Sequence, residues 1–314
     1  MILDYTETLR FAHERADRGL EKLAFHIHQN LRPHNPEAVH DLRVAIRRFS
    51  QTLRVFKPCF RGKEMRKVRR ELKRIMDLAG EVRNCDVSLK LLSKSQKSAT
   101  AALRSKLEGR RRECERAFAG ILRHWNDRKS AARWRAAVKD AITTSTEPFG
   151  RAPIAKTAQR ILPGVAQEFF ARGNQASKAK TPPAQLHRFR IASKKFRYTL
   201  ELFTSLYGPG MNSSLDKIRR AQALLGEIND CETVRSLVSR WKSADGLMSW
   251  IRKRQRRKID EFQRYWEGAF GSDREMRSWS AFLKRPIERD GQVKKPLARA
   301  GPVQAASRRS AAVA

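Results

Sequence analysis

Two segments of this chain carry the same set of groups able to hold an anion. His40-Asp-Leu-Arg-Val-Ala-Ile-Arg-Arg-Phe-Ser-Gln-Thr-Leu-Arg-Val-Phe56 aligns without a gap on His187-Arg-Phe-Arg-Ile-Ala-Ser-Lys-Lys-Phe-Arg-Tyr-Thr-Leu-Glu-Leu-Phe203. Seven of the 17 pairs are identical and five more exchange like for like. Guanidinium and ammonium groups set in a row form charge-assisted hydrogen bonds with phosphate or carboxylate oxygens. An imidazole beside them, kept neutral by its cationic neighbours, can donate to a phosphate oxygen. Neither His40 nor His187 has a histidine or carboxylate recurring three or four residues on, so a metal site is not expected. His26 and His28, two apart, fall on different helix faces.

On a helix, Leu42, Ile46, Phe49, Leu53 and Phe56 form a core seam with 4-3-4-3 spacing. His40, Arg43, Arg47, Gln51 and Arg54 line the opposite side. In the second segment Phe189, Phe196, Leu200 and Phe203 take the core side. His187, Arg190, Lys194, Tyr198 and Glu201 take the polar side, with Arg197 at its edge. Each stripe is about 20 Å long, with successive cations ~5–6 Å apart. A solvated helix face normally mixes signs, because like charges one turn apart repel. The first stripe holds three arginines and no acid, a pattern that predicts an external anion. The next helix continues it with Arg66, Arg69, Arg70, Lys73 and Arg74, and Lys217, Arg219 and Arg220 are the shorter counterpart.

These faces need a helical scaffold, and helical periodicity runs through nearly every long segment. Helices are expected near 6–31, 36–57, 62–80, 84–94, 97–125 and 131–143. A second series is expected near 154–172, 184–206, 212–226, 230–242 and 247–268. Pro36 and the Thr181-Pro182-Pro183 run are helix starts, since proline loses nothing at the first helical position. Residues 143–152 read as a linker and 173–184 as a loop. A second repeated block, Leu78-Ala-Gly-Glu-Val-Arg-Asn-Cys-Asp86 against Leu224-Leu-Gly-Glu-Ile-Asn-Asp-Cys-Glu232, reads as a helix end, a turn and a new start. In that reading Gly80 and Gly226 supply close packing or a terminal cap, and Asn84 and Asp230 are N-caps. The organisation expected is all-α: two pseudo-symmetric antiparallel bundles, 1–145 and 146–284, around a basic groove. Residues 285–314 are expected to form a disordered basic tail.

Lys and Arg number 68 against 32 acidic residues, a formal charge of +36, while 40% of residues are hydrophobic. That combination supports a core yet repels itself, so an anionic partner is expected. No secretory signal and no apolar run long enough for a bilayer are visible. Four scattered cysteines without a C-x-x-C pair argue against disulfides and zinc and fit a cytoplasmic protein. Cys85 and Cys231 are expected to fill core space. Glu81, Asp86, Glu227, Asp230 and Glu232 could be read as acid/base or metal carboxylates, but capping and pairing with arginine is the expected role. The run RKRQRRK (252–258) could meet nucleic acid or anionic lipid, whereas Trp250, Phe262 and Trp266 are expected to pack inward. No phosphate-cradling loop or nucleophile elbow is present, so catalysis and cofactors are not expected. Low-salt binding to nucleic acid through the same faces is the alternative to a simpler polyanion.

The paired His-x-x-Arg-x-x-x-Arg/Lys-Arg/Lys-Phe helices, each followed by a Leu-x-Gly-Glu block, resemble the CHAD family over roughly residues 5–280. The resemblance implies two helical bundles around a basic groove that binds inorganic polyphosphate, with association with intracellular polyphosphate granules. It implies phosphate contacts at His40, Arg43, Arg47, Arg48, His187, Arg190, Lys194, Lys195, Arg197 and Tyr198. Where the family's usual pair is Arg-Asp, this chain has Arg83-Asn84, which puts a local salt bridge in question. No acidic, strand-rich triphosphatase domain of the CYTH kind is visible, which argues against hydrolysis.

Overall fold

The structure, a computed structural model, describes residues 7–32, 36–94, 101–145, 152–239 and 245–285. Among these residues there are ten α-helices and no strand. In order they are α1 (Glu7–Asn30), α2 (Pro36–Val55), α3 (Lys63–Leu92), α4 (Ala101–Asp127) and α5 (Ser130–Thr143), then α6 (Ile154–Ala176), α7 (Pro183–Phe203), α8 (Gly210–Val238), α9 (Asp245–Phe270) and α10 (Asp273–Leu283). Short 3-10 turns at Lys57–Cys59 and Thr204–Leu206 follow α2 and α7. The tail expected from 285 onward and most of the 143–152 linker lie outside the described residues.

Both core seams are buried as the spacing predicts. Leu42, Ile46, Phe49, Leu53 and Phe56, and likewise Phe189, Phe196, Leu200 and Phe203, are almost completely removed from water. Trp134 packs on Phe49 at 6.5 Å, and Trp279 packs on Phe196 at 5.4 Å, so α5 and α10 each cap a seam with an indole. The two seams meet where Phe203 lies 6.0 Å from both Phe56 and Phe11, and one hydrophobic core runs through both series of helices. Gly173 permits the tightest approach in that core: a Cβ there would fall 2.0 Å from the ring of Trp266. The same indole donates to Asn174 Oδ1 at 2.9 Å.

Two expected breaks do not occur. The segments 62–80 and 84–94 form one helix, α3, and 212–226 and 230–242 form α8. A glycine in a helix interior costs about 1 kcal/mol relative to alanine. The buried seams Ile75–Ala79–Val82–Cys85 in α3 and Ala221–Leu225–Ile228–Cys231 in α8 run straight past Gly80 and Gly226 and outweigh it. Asn84 and Asp230 are therefore mid-helix residues, and the capping role expected of them is corrected. Cys85 and Cys231 do sit in the interior. Helix α10 was not anticipated; Ser272 caps it, its hydroxyl accepting from the Glu275 amide at 3.1 Å. The loop expected at 173–184 is shorter, because α6 continues to Ala176 and α7 starts at Pro183.

The unbroken length of α3 and α8 has a structural consequence. Their C-terminal halves reach each other and, with α4 and α9, enclose a second small core built from Leu91, Leu92, Leu107, Val234, Val238 and Ile251. Arg110 on α4 meets Glu81 at 3.0 Å, and Arg254 on α9 meets Glu227 at 3.3 Å, so the acids after both glycines serve interhelical ion pairs. Asp86 likewise pairs across helices with Arg111, whereas Glu232 pairs with Arg235 of its own helix and accepts a hydrogen bond from Gln255 of α9.

Candidate anion-binding site

Helices α2 and α7 cross at their C-terminal thirds. The crossing is held by a buried hydrogen bond from Gln51 Nε2 to Thr199 Oγ1 (2.9 Å) and by the Arg48–Glu201 ion pair (3.1 Å). N-terminal to this crossing the two basic stripes converge, with α3 and α8 alongside them. Arg43 and Arg47 come from α2, Arg83 from α3, Arg190, Lys194 and Arg197 from α7, and Asp230 from α8. These charges are close enough to act on one another across the two series.

The electrostatic consequence is large. Burial, with Arg47, Arg190 and Arg83 nearby, brings the Arg43 guanidinium down to about 10. Burial also lowers Arg190, with Arg47 adding to it and Asp230 opposing it. Lys194 is pushed down to about 6, first by burial and then by Arg190, Arg47, Arg43 and Arg197. Burial lowers His40 too, and Arg83 lowers it further, which favours the neutral imidazole. Burial raises the Asp230 carboxyl against the pull of Arg190, Arg83 and Lys194. Asp230 and Glu201 are too few acids to neutralise the cations gathered here, and among the described residues the buried Arg190 Nε has no hydrogen-bond partner. A multivalent anion arriving here would supply both charge and acceptors.

The glycine of the second block now has a reason. Arg43 passes over α3 at Gly80, its Nη1 donating to the Met76 carbonyl at 3.4 Å; a Cβ on Gly80 would come within 2.9 Å of that nitrogen. A Cβ on the matching Gly226 would meet nothing within 4 Å. Gly80→Ala should therefore displace the Arg43 guanidinium and weaken anion binding severalfold. Gly226→Ala should leave binding intact and raise stability by about 0.5–1 kcal/mol through helix propensity. Parallel titrations and thermal melts of the two variants check this, and equal affinities would show that the seat of Arg43 is irrelevant.

Not every residue of the expected stripes faces this cluster. His187 is exposed, its Nδ1 3.4 Å from Asn229 Oδ1. Tyr198 is buried beneath the Arg197 guanidinium, which sits 4.7 Å from its ring centre, so its role is to seat Arg197. Lys195 turns to the opposite side and pairs with Glu168 at 2.6 Å. Arg48 and Arg197 both flank Glu201, whose position matches Arg54 of the first stripe; Arg54 itself is exposed. Lys73 is exposed two turns from Gly80 on the same face of α3, whereas Arg70 and Arg74 project further round the helix. Arg69 donates to the carbonyls of Leu53 and Phe60 and so ties the α2–α3 corner. Arg219 pairs with Asp216 at 2.6 Å, and Arg220 lies over the Tyr265 ring at 4.9 Å. Arg83 and Asp230 are the members that residue-pattern reasoning missed. Their place inside the repeated Leu-x-Gly-Glu blocks was the available signal, although neither is repeated in type (Arg83 aligns with Asn229 and Asp230 with Asn84), and a helix break assumed at Gly80 and Gly226 hid it.

The sequence profile of the CHAD domain matches residues 14–239. The chain belongs to the CHAD family. Its fold is similar to the crystal structure of the CHAD domain from the plant Ricinus communis, with a TM-score of 0.66 at 19% identity, covering 90% of this chain and 94% of that one. PptA from Streptomyces chartreusis is similar at a TM-score of 0.53 and 15% identity, covering 85% of this chain and 100% of that one. No curated protein matches it. Membership of the CHAD family is consistent with polyphosphate binding in general. Among the described residues no helix is long and apolar enough to cross a membrane.

Proposed function

We propose that this chain binds inorganic polyphosphate in the channel between α2, α3, α7 and α8. The observation that carries this reading is the half-buried cluster of Arg43, Arg47, Arg190 and Lys194, gathered from two separate sequence repeats at an electrostatic cost. A fold tolerates such a cost where a partner reverses it. Arg83, Arg197, His40 and the exposed Lys73 extend the cluster at its margins. Recessed cations suit a thin, flexible chain that presents an oxygen to each of them better than they suit a wide duplex. The protein acts as a binding module, without a chemical step of its own, and association with polyphosphate granules or regulation of their chemistry would follow from that binding.

The test is a binding isotherm with polyphosphate of defined length at several salt concentrations. A steep linear fall of log affinity with log salt counts the cations engaged. Duplex DNA at equal phosphate concentration and near-physiological salt should fail to displace the polymer; displacement would favour a general nucleic-acid binder. Incubation with polyphosphate, with and without a divalent metal, should release no phosphate, and chain shortening would replace the binding reading with an enzymatic one.

A further inference from the structure

A separate hollow lies on the other side of α3 from Gly80 and the Arg43 guanidinium. A cleft of about 430 Å3 opens between α3, α4 and the start of α5. Leu78, Ile121 and Trp125 provide apolar wall, while Arg74, His124 and Arg128 bring cationic or titratable groups to it. Glu71 also reaches the cleft, but its carboxylate already accepts from Trp134 Nε1 at 3.2 Å and faces Arg133 at 3.9 Å. The Trp125 side chain is 3% exposed, and its indole N–H has no hydrogen-bond acceptor among the described residues.

The second series of helices shows what such a space accepts. The ion pairs Arg110–Glu81 and Arg254–Glu227 set α4 against α3 in the same register as α9 against α8. In that register Ile121 stands where α9 has Tyr265, and Arg74 stands where α8 has Arg220. The Tyr265 ring lies under the Arg220 guanidinium at 4.9 Å, and its hydroxyl donates to the Lys217 carbonyl at 2.9 Å. The cleft beside Arg74 thus corresponds to a place that the other half fills with a phenol ring. Gly120 lines it as well, and a Cβ added there would meet nothing within 4 Å.

We infer that the α3–α4 cleft of this chain binds a small planar aromatic anion, its ring against Arg74 and Trp125 and its anionic group toward His124 and Arg128. A guanidinium over an aromatic face is an attractive contact, and a hollow of this size with apolar wall and a few convergent polar groups is what small-molecule sites look like. The cleft is separate from the channel proposed for polyphosphate, so each site can fail without the other.

The experiment is titration of the full chain with phenyl phosphate and with adenosine monophosphate, followed by tryptophan fluorescence and calorimetry. Saturable binding of at least one probe is expected at concentrations where inorganic phosphate gives no signal, and long-chain polyphosphate should not displace it. Gly120→Leu fills the cleft and should weaken the probe at least tenfold while polyphosphate affinity stays unchanged. Should that variant fold poorly, Arg74→Gln should lower probe affinity by a similar factor. The inference is overturned by a lack of saturation with both probes or by equal binding of inorganic phosphate. It is equally overturned by displacement by polyphosphate, or by unchanged probe affinity in a folded Gly120→Leu or Arg74→Gln protein.

Discussion

Replacing Arg43 and Arg190 together with glutamine should lower polyphosphate affinity by about two to four orders of magnitude while leaving the protein folded. Each residue would contribute at least one charge-assisted hydrogen bond, and such bonds are worth about 1.5–3 kcal/mol apiece, with a factor of ten for each 1.4 kcal/mol. The two arginines belong to different repeats yet act on the same small region, since Arg47 presses on both and Arg190 presses on Arg43. The same crowding predicts that the melting temperature of the free protein does not fall. Both guanidiniums are held below their ordinary range by burial and like charge, so removing them relieves desolvation and repulsion, which outweigh the lost Met76 contact and the lost attraction between Arg190 and Asp230. Substituting Arg308 and Arg309, which lie outside the described residues, removes the same formal charge. That pair should lose far less affinity, and the slope of log affinity against log salt should drop by roughly one for each channel cation removed. Equal losses in the two double variants would mean that net charge, rather than the channel, holds the polymer.

Polyphosphate affinity should fall as pH rises above about 6, with binding at neutral pH drawing in a proton. Lys194 in the free protein is pushed down to about 6 by burial and by four surrounding guanidiniums. A bound polyanion favours the ammonium form, so the ligand prefers protonated protein and must recruit the proton as the pH is raised. His40 acts in the same direction at lower pH, because burial and Arg83 disfavour its charged form and a polyanion would restore it. For the free protein, between about 6 and the ordinary lysine value of 10.5 the unfolded chain keeps a proton that the folded chain has released. Stability therefore rises with pH across that window and is lowest where Lys194 must be charged. Calorimetry in buffers of different ionisation enthalpy should give a positive proton uptake at pH 7 to 8 with long chains, whose terminal phosphates contribute little. Lys194→Arg, charged at every accessible pH, should flatten the pH dependence above 6. Lys194→Met should also flatten it, with weaker binding and a higher melting temperature. A wild-type affinity independent of pH would contradict the buried position of the ammonium.

Periodicity and residue type were enough for the helical class, the two seams and the placing of a basic stripe opposite each seam. These are properties of single helices: a 4-3 spacing of Leu, Ile and Phe has only one face to bury, whatever it packs against. Helix ends were less legible. Gly80 and Gly226 carry the local signature of a terminus, yet buried side chains on both sides of each glycine hold α3 and α8 together as single helices. Packing of that kind involves residues far apart in sequence, which local propensity does not register. The missed α10 has the same origin, since Trp279 gains its burial against Phe170 of α6 and Phe196 of α7.

Within the site, the sequence alone determined which residue types were present and that Arg43 with Arg47, and Arg190 with Lys194, share a helix face. Only the tertiary structure decided which cations work together. It turned Lys195 to Glu168, set Arg48 against Glu201, placed Arg69 at a helix corner, buried Tyr198 and sent Arg74 and Arg220 to the far side. It also added Arg83 and Asp230, which a broken helix would have pointed elsewhere. The physical reason is that a helix fixes angular order along its own axis, whereas the field felt at Lys194 is summed over charges on both α2 and α7, whose relative placement comes from the core beneath them.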